Sequence, residues 1–312
     1  METPSRARPG GKLLPLDWGA LAPLRVRAAA AADGVYAGMH RSARRGAGIE
    51  FGGQRPYVPG DDLRFIDRRS LMRHDRLMVR EFETDTERAL WVALDSSASM
   101  GFRGPAAPGA KLAFAAVLAA GLCRIGIAGQ DPVGLAWLGR AEGRPELAGP
   151  AGFGQAMFER VVDALERATA SGALAEDLGS LERQLEVLAR RARRGSVIVL
   201  FSDFLDVPDE VVRRVAVLGA ERVLVAVQVL DPVEVDLGFT GRVRLREIEG
   251  SAIVTTDADK VRAEYVARLE AHTQRWREAI EAVGGRLMRA RTTDDPVDAL
   301  RAIVQAAGEA RR

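Results

Sequence analysis

The segment Leu90-Trp91-Val92-Ala93-Leu94-Asp95-Ser96-Ser97-Ala98-Ser99-Met100 joins an apolar run of strand length to a cluster of small polar side chains. An apolar run bounded by polar residues fits a central strand of a parallel sheet, buried on both faces. In open α/β sheets ligands sit beyond the carboxyl ends of the strands. Here that end carries Asp95, Ser97 and Ser99, one carboxylate and two hydroxyls, oxygen donors of the kind that hold a hard cation.

A second segment repeats the logic. Ser196-Val197-Ile198-Val199-Leu200-Phe201-Ser202-Asp203 is again a buried strand that ends in an acid. Around these two strands, helices are expected over 110–127, 153–168, 181–193 and 209–218, and strands over 132–138 and 222–230. A short edge strand fits near 145–147. The pairing of 242–248 with 252–255 reads as a hairpin. A long amphipathic helix over 257–283 starts on an Asp cap and stops at Gly284-Gly285. A last strand over 286–290 and a last helix over 297–306 follow. Repeated strand-helix units predict an α/β fold with a doubly wound, mostly parallel sheet and right-handed crossovers.

Upstream the chain reads differently. Residues 1–11 are rich in Pro, Arg and Gly and predict a loose tail, and 13–43 predict one or two helices around Ala28–Ala32. Gly34 and Gly38 make a turn near 35–40 equally natural. From 44 to 82, Gly, Pro and short extended pieces predict irregular β structure, with Pro59-Gly60-Asp61 as a turn. The expected organisation is a tail and helix over 1–43, a segment over 44–85 that packs on the main domain, and the main α/β domain over 86–312.

The chain of 312 residues is 47% hydrophobic, enough to bury a sizeable core. Its 45 basic and 43 acidic side chains nearly balance, so no acidic partner is implied by net charge. Cys123 stands alone and reads as a small buried hydrophobe. The longest apolar stretch, 112–123, is short of the roughly 20 residues that span a bilayer. A protein that is not itself membrane-spanning and lies in the cytoplasm is expected. The Arg-rich pieces at 41–45 and 190–194 lack aromatic neighbours for stacking, and no nucleic-acid partner is expected.

Several separated motifs carry a resemblance. Asp95-x-Ser97-x-Ser99 together with Phe201-Ser202-Asp203 resembles the metal-ion-dependent adhesion site of von Willebrand factor A-like domains. Tyr57-x-Pro59-Gly60-Asp61-Asp62-x-Arg64-x-Ile66-Asp67, followed by Val79-Arg80-Glu81-Phe82-Glu83, is similar to the signature of the bacterial domain-of-unknown-function 58 family. Val229-Leu230-Asp231-Pro232-x-Glu234 and the Glu264-Tyr265 helix fit the same family. The chain departs from it at Arg68, where Trp usually follows the Asp, and it lacks the membrane-spanning helices with which many relatives begin.

The resemblance implies a von Willebrand A-like sheet and a divalent ion, Mg²⁺ or Mn²⁺, held partly through water by Asp95, Ser97, Ser99 and Asp203. It also implies a third-loop hydroxyl, for which Ser180 is the candidate, with Asp177 or Thr169 as alternatives. It further implies a non-enzymatic adaptor: a protein partner donates a carboxylate to the metal, and a MoxR-type AAA+ ATPase works with it in the maturation or assembly of other proteins. Such an adaptor could lie peripheral to the membrane through a partner.

The competing reading is a Mg²⁺-dependent phosphohydrolase with Asp95 as nucleophile. Such an enzyme needs a second nearby carboxylate for acid–base work and a group to neutralise the phosphoryl charge. The position two after Asp95 is Ser97, and the chain has no P-loop and no Gly-x-Ser-x-Gly elbow. His40, His74 and His272 are too scattered to form a metal set.

Overall fold

The computed structural model of the protein describes residues 16–43, 54–56, 78–80, 88–139, 149–172, 178–205, 207–250 and 252–310. The expected tail at 1–11, the turn at 59–61, the edge strand at 145–147 and Asp177 lie outside them. The chain divides into two compact units, Met1–Val35 with Arg88–Arg312, and Tyr36–Glu87. In the second unit, β1 (Gln54–Pro56) pairs antiparallel with β2 (Met78–Arg80), Arg55 opposite Val79.

Helix α1 (Leu24–Ala43) runs unbroken through Gly34 and Gly38, where a turn was equally natural. Packing supplies the reason. Leu24, Ala28, Ala31, Ala32 and Val35 form a buried stripe at helical spacing. A side chain at Gly34 would lie 2.7 Å from both methyl groups of Val297.

The first unit is built on five parallel strands. These are β3 (Leu90–Asp95), β4 (Val133–Leu138), β5 (Val197–Ser202), β6 (Val223–Leu230) and, after the hairpin β7 (Arg242–Arg246) and β8 (Ile253–Asp257), β9 (Arg286–Arg291). Their order across the sheet is β4-β3-β5-β6-β9. Every neighbouring pair is parallel, with Ala93 opposite both Ala136 and Leu200. The doubly wound α/β fold expected from the sequence is the fold observed. At the β4 edge, Val133 and Gly152 form one antiparallel bridge.

Helices cover both faces. On one side lies α2 (Lys111–Ala128), flanked by α3 (Gly154–Glu166) and, from the end of the chain, α8 (Pro296–Glu309). On the other lie α4 (Leu178–Arg191), α5 (Asp209–Val217) and the long α7 (Ala258–Glu281). Leu185, Val215 and Trp276 from these three meet Trp91, Ala93 and Leu200 of the sheet in one apolar cluster. A short α6 (Pro232–Asp236) follows β6.

The sequence predicts an apolar side for α2, but the helix is buried almost all round, from Lys111 to Cys123 without a break. Its small residues explain this, because the run of alanines lets the sheet, α3 and α8 all approach closely. Lys111–Ala128 is the one helix among the described residues long and apolar enough by composition to cross a membrane, and 78% of it lies buried inside the fold. Cys123 is buried within it, as expected.

Parallel order with β3 between β4 and β5 has a consequence for location. The chain leaves β3 toward β4 and returns to β5 on its other side, so the strand order reverses at the carboxyl ends of β3 and β5. That crevice is where ligands bind in such sheets.

The core is tight enough to test at one atom. A methyl group at Gly134 on β4 would sit 2.5 Å from the Trp91 ring, which is itself fully buried. Gly134→Ala is expected to cost about 1–3 kcal/mol by overpacking, read as a lower midpoint in urea denaturation.

Candidate functional site

Asp95 is the last residue of β3 and is fully buried. Its two oxygens are held from the turn after β3 and from β5. Oδ1 accepts from the Ser97 amide at 2.8 Å, and Oδ2 accepts from the Ser202 hydroxyl at 2.6 Å. The Ser202 hydroxyl in turn accepts from the Phe204 amide at 3.0 Å. Phe204 holds φ of 56°, a sparsely populated conformation for a residue with a side chain. Its ring packs on Trp276 and its carbonyl oxygen pairs with His272 Nε2 at 2.6 Å. Strain at the end of β5 is therefore fixed in place by packing.

Ser97 and Ser99 lie on the turn after β3, their hydroxyls 3.1 Å apart. Ser97 is buried and Ser99 half-buried. The backbone of this turn is pinned from a second loop: Ser171 N donates to Ser96 O and Ala98 N to Gly172 O, both at 2.8 Å. The segment that meets the turn is thus the one just after Thr169. Ser180 sits instead in the first turn of α4, where its hydroxyl accepts from Gln184 at 3.2 Å, and Gln184 Oε1 accepts from the Gly139 amide beyond β4.

Asp203 follows β5 and is also buried. Its Oδ1 accepts from the Leu205 amide at 3.1 Å, while Oδ2 accepts from the Lys111 ammonium at 2.8 Å. Lys111 also donates to Glu234 Oε1 at 2.6 Å. Glu234 is at the same time the third residue of a capping box: its Oε2 accepts from the Asp231 amide, and Asp231 Oδ1 accepts from the Val233 amide. Asp231 Oδ2 reaches across to the Gly104 amide at 2.8 Å. The motif Asp231-Pro232-x-Glu234 is therefore a helix cap whose acid holds the buried lysine. Tyr265 of α7 adds a hydrogen bond from its hydroxyl to Glu234 O.

Two carboxylates, Asp203 and Glu234, thus share one ammonium, and Asp95 lies buried close enough to Asp203 to feel its charge. Burial shows in the proton affinities of Asp95 and Glu234. Burial, and then the charge of Asp203, push Asp95 up to about 7 against the hydrogen bonds from Ser202 and Ser97 that favour its ionised form. Burial raises Glu234 above its ordinary value, although Lys111 opposes this. Burial pulls Lys111 down, but the charges of Asp203 and Glu234 outweigh it and hold the ammonium above its ordinary value. Among the described residues no group of three or more His, Cys, Asp or Glu is arranged as a metal cage.

Asp95, Ser97, Ser99 and Asp203 are brought to one end of the sheet, as their places at strand ends predict. Lys111 and Glu249 complete the surroundings and were not legible as such. Lys111 opens an apolar helix and looks like an ordinary solvent-facing first residue. Glu249, in the turn between β7 and β8, accepts at 3.0 Å from the amide of Ser99, 150 residues earlier in the chain.

Two outcomes follow for stability. Removing the ammonium leaves Asp203 and Glu234 buried without compensation, and Lys111→Met is expected to cost about 3–5 kcal/mol in urea denaturation. Asp95 has a folded value near 7 against 3.8 in the unfolded chain. Its proton therefore favours folding, a contribution fully present below the unfolded value and lost as pH rises through the folded one. In chelator-treated protein the wild type should lose stability relative to Asp95→Asn between these two values, and a pH-independent difference would contradict the buried, ionising carboxylate.

Comparison with known proteins places the chain. The family model described as "Protein of unknown function DUF58" matches residues 53–275. An uncharacterised protein of Mycobacterium tuberculosis (strain H37Rv) is 30% identical over 264 residues, covering 84% of this chain and 81% of that protein. Among solved structures, an aerotolerance-related membrane protein from Bacteroides fragilis has 17% identity, covers 71% of this chain and 98% of its own, and superposes with a TM-score of 0.47. A von Willebrand factor type A protein from Catenulispora acidiphila has 14% identity, covers 72% of this chain and 43% of its own, and gives a TM-score of 0.41. With the family model matched over most of its length, the chain belongs to the DUF58 family.

Proposed function

We propose that the protein is a metal-ion-dependent binding adaptor: the carboxyl ends of β3 and β5 hold a divalent cation that captures a carboxylate of a protein partner. The observation that carries the reading is the gathering of the oxygen donors Asp95, Ser97, Ser99 and Asp203 at that end, with the Ser97 and Ser99 hydroxyls 3.1 Å apart. The donors suit Mg²⁺ or Mn²⁺, hard ions that take oxygen ligands and keep several waters.

Asp95, Ser97 and Ser99 would hold the ion, with Asp203 beside them, and the ion would supply a Lewis-acidic position for an incoming carboxylate. The chain's own residues do the positioning. Ser202 and the Ser97 amide orient Asp95, Lys111 orients Asp203, and the Ser171–Gly172 backbone fixes the turn that carries both hydroxyls. Ser180, bonded to Gln184, belongs to this reading only if its hydroxyl reaches the ion through water.

What supports a binding role over phosphoryl transfer is the state of Asp95. Both of its oxygens accept hydrogen bonds and the residue is buried, whereas a nucleophile must approach its substrate. The partner class rests on the family resemblance: a MoxR-type AAA+ ATPase, with the adaptor assisting maturation or assembly of other proteins in the cytoplasm.

Calorimetric titration of Mg²⁺ and Mn²⁺ into wild type, Asp95→Ala and Ser97→Ala tests this. Binding by the wild type is expected to be lost in both variants, and capture of the ATPase is expected to need the ion. Capture that proceeds equally in chelator and in both variants would rule out the metal-bridged mechanism.

A further inference from the structure

We propose that Glu249 is a ligand of the same site, a carboxylate that the free protein seats at its own metal position. This rests on the metal-ion reading above and names what fills the partner's place when no partner is bound. Glu249 Oε1 accepts from the Ser99 amide at 3.0 Å, and the Ser99 hydroxyl is one of the two that face each other at 3.1 Å. Its second oxygen takes no hydrogen bond among the described residues.

The electrostatics point to a cation. Asp203 and Glu234 already meet the ammonium of Lys111, and Asp95 lies buried beside them, bonded to Ser202. Bringing a further carboxylate to this end of the sheet is unfavourable unless positive charge lies between the acids. The two acids of the hairpin turn are also used differently. Glu247 closes the turn itself, its Oε2 accepting from the Ala252 amide at 3.1 Å while its own amide donates to Ala252 O at 2.9 Å. Glu249 alone is directed at the site.

The hairpin is built as an arm. Its base is tied down: the Gly241 amide donates to Asp259 Oδ2, the Ala258 amide to Gly241 O, and Arg262 to Phe239 O. Its strands stay largely in solvent, with Ile253 47% and Val254 56% exposed. Swinging the tip aside exposes no buried core, so a partner's carboxylate can displace Glu249 at small cost. The apparent affinity for the partner is then lowered by the fraction of time Glu249 is seated.

The test is Mn²⁺ titration of the full chain, with free Mn²⁺ read by electron paramagnetic resonance and bound water by proton relaxation. Glu249→Gln is compared with wild type and with Glu309→Gln, which removes a charge at the opposite end of the sheet beside Arg286. Glu249→Gln is expected to bind Mn²⁺ about tenfold more weakly and to show higher relaxation per bound ion, because water takes the vacated position. Glu309→Gln should match the wild type. Equal affinity and equal relaxation in all three chains overturns the role of Glu249 while the metal site stands. No Mn²⁺ retained by the wild type overturns both.

Discussion

A fully buried ammonium at the start of α2 is the constraint on which the carboxyl end of the sheet depends. Lys111 is in the least favourable place for a cation, out of water and at a helix amino terminus, where the backbone dipole already presents positive charge. It is tolerated because Asp203 and Glu234 both reach it. That one charge therefore fixes three elements against one another: α2, the loop after β5, and α6 with its capping box. Asp95 is attached to the same assembly through Ser202, and the loop at Gly104 through Asp231. Remove the ammonium and the acids repel; remove the acids and the ammonium has no reason to be inside.

The sheet itself could be read from the chain because each of its central strands is an apolar run too short for a helix and bounded by polar residues. The acids at the ends of β3 and β5 were legible for the same reason, since a parallel sheet places the residues after such runs at one edge. The hairpin and the long α7 announced themselves by alternation and by an Asp cap. Gly34 was ambiguous because its effect on α1 depends on Val297, far away in sequence.

The rest of the site depended on contacts that no local pattern carries. A lysine before an alanine-rich run has the signature of a solvated helix start, and only the three-dimensional meeting with Asp203 and Glu234 gives it another meaning. The third-loop hydroxyl shows the same difficulty from the other side. Thr169, Ser171 and Ser180 are chemically similar, and the backbone bonds that bring Ser171 and Gly172 to the Ser96–Ala98 turn leave no trace in composition. Glu249 is more distant still, since its partner was made 150 residues earlier.

That long reach bears on how the protein is made. Asp95, Lys111, Asp203, Glu234 and Glu249 come from separate strands, helices and turns, so no fragment short of residues 95–249 contains them all. A chain still emerging from the ribosome has the turn after β3 long before it has the strand that orients Asp95 or the hairpin that covers Ser99. The assembly at this end of the sheet is thereby reserved for finished molecules, because a half-made copy lacks the acids and turns that complete it.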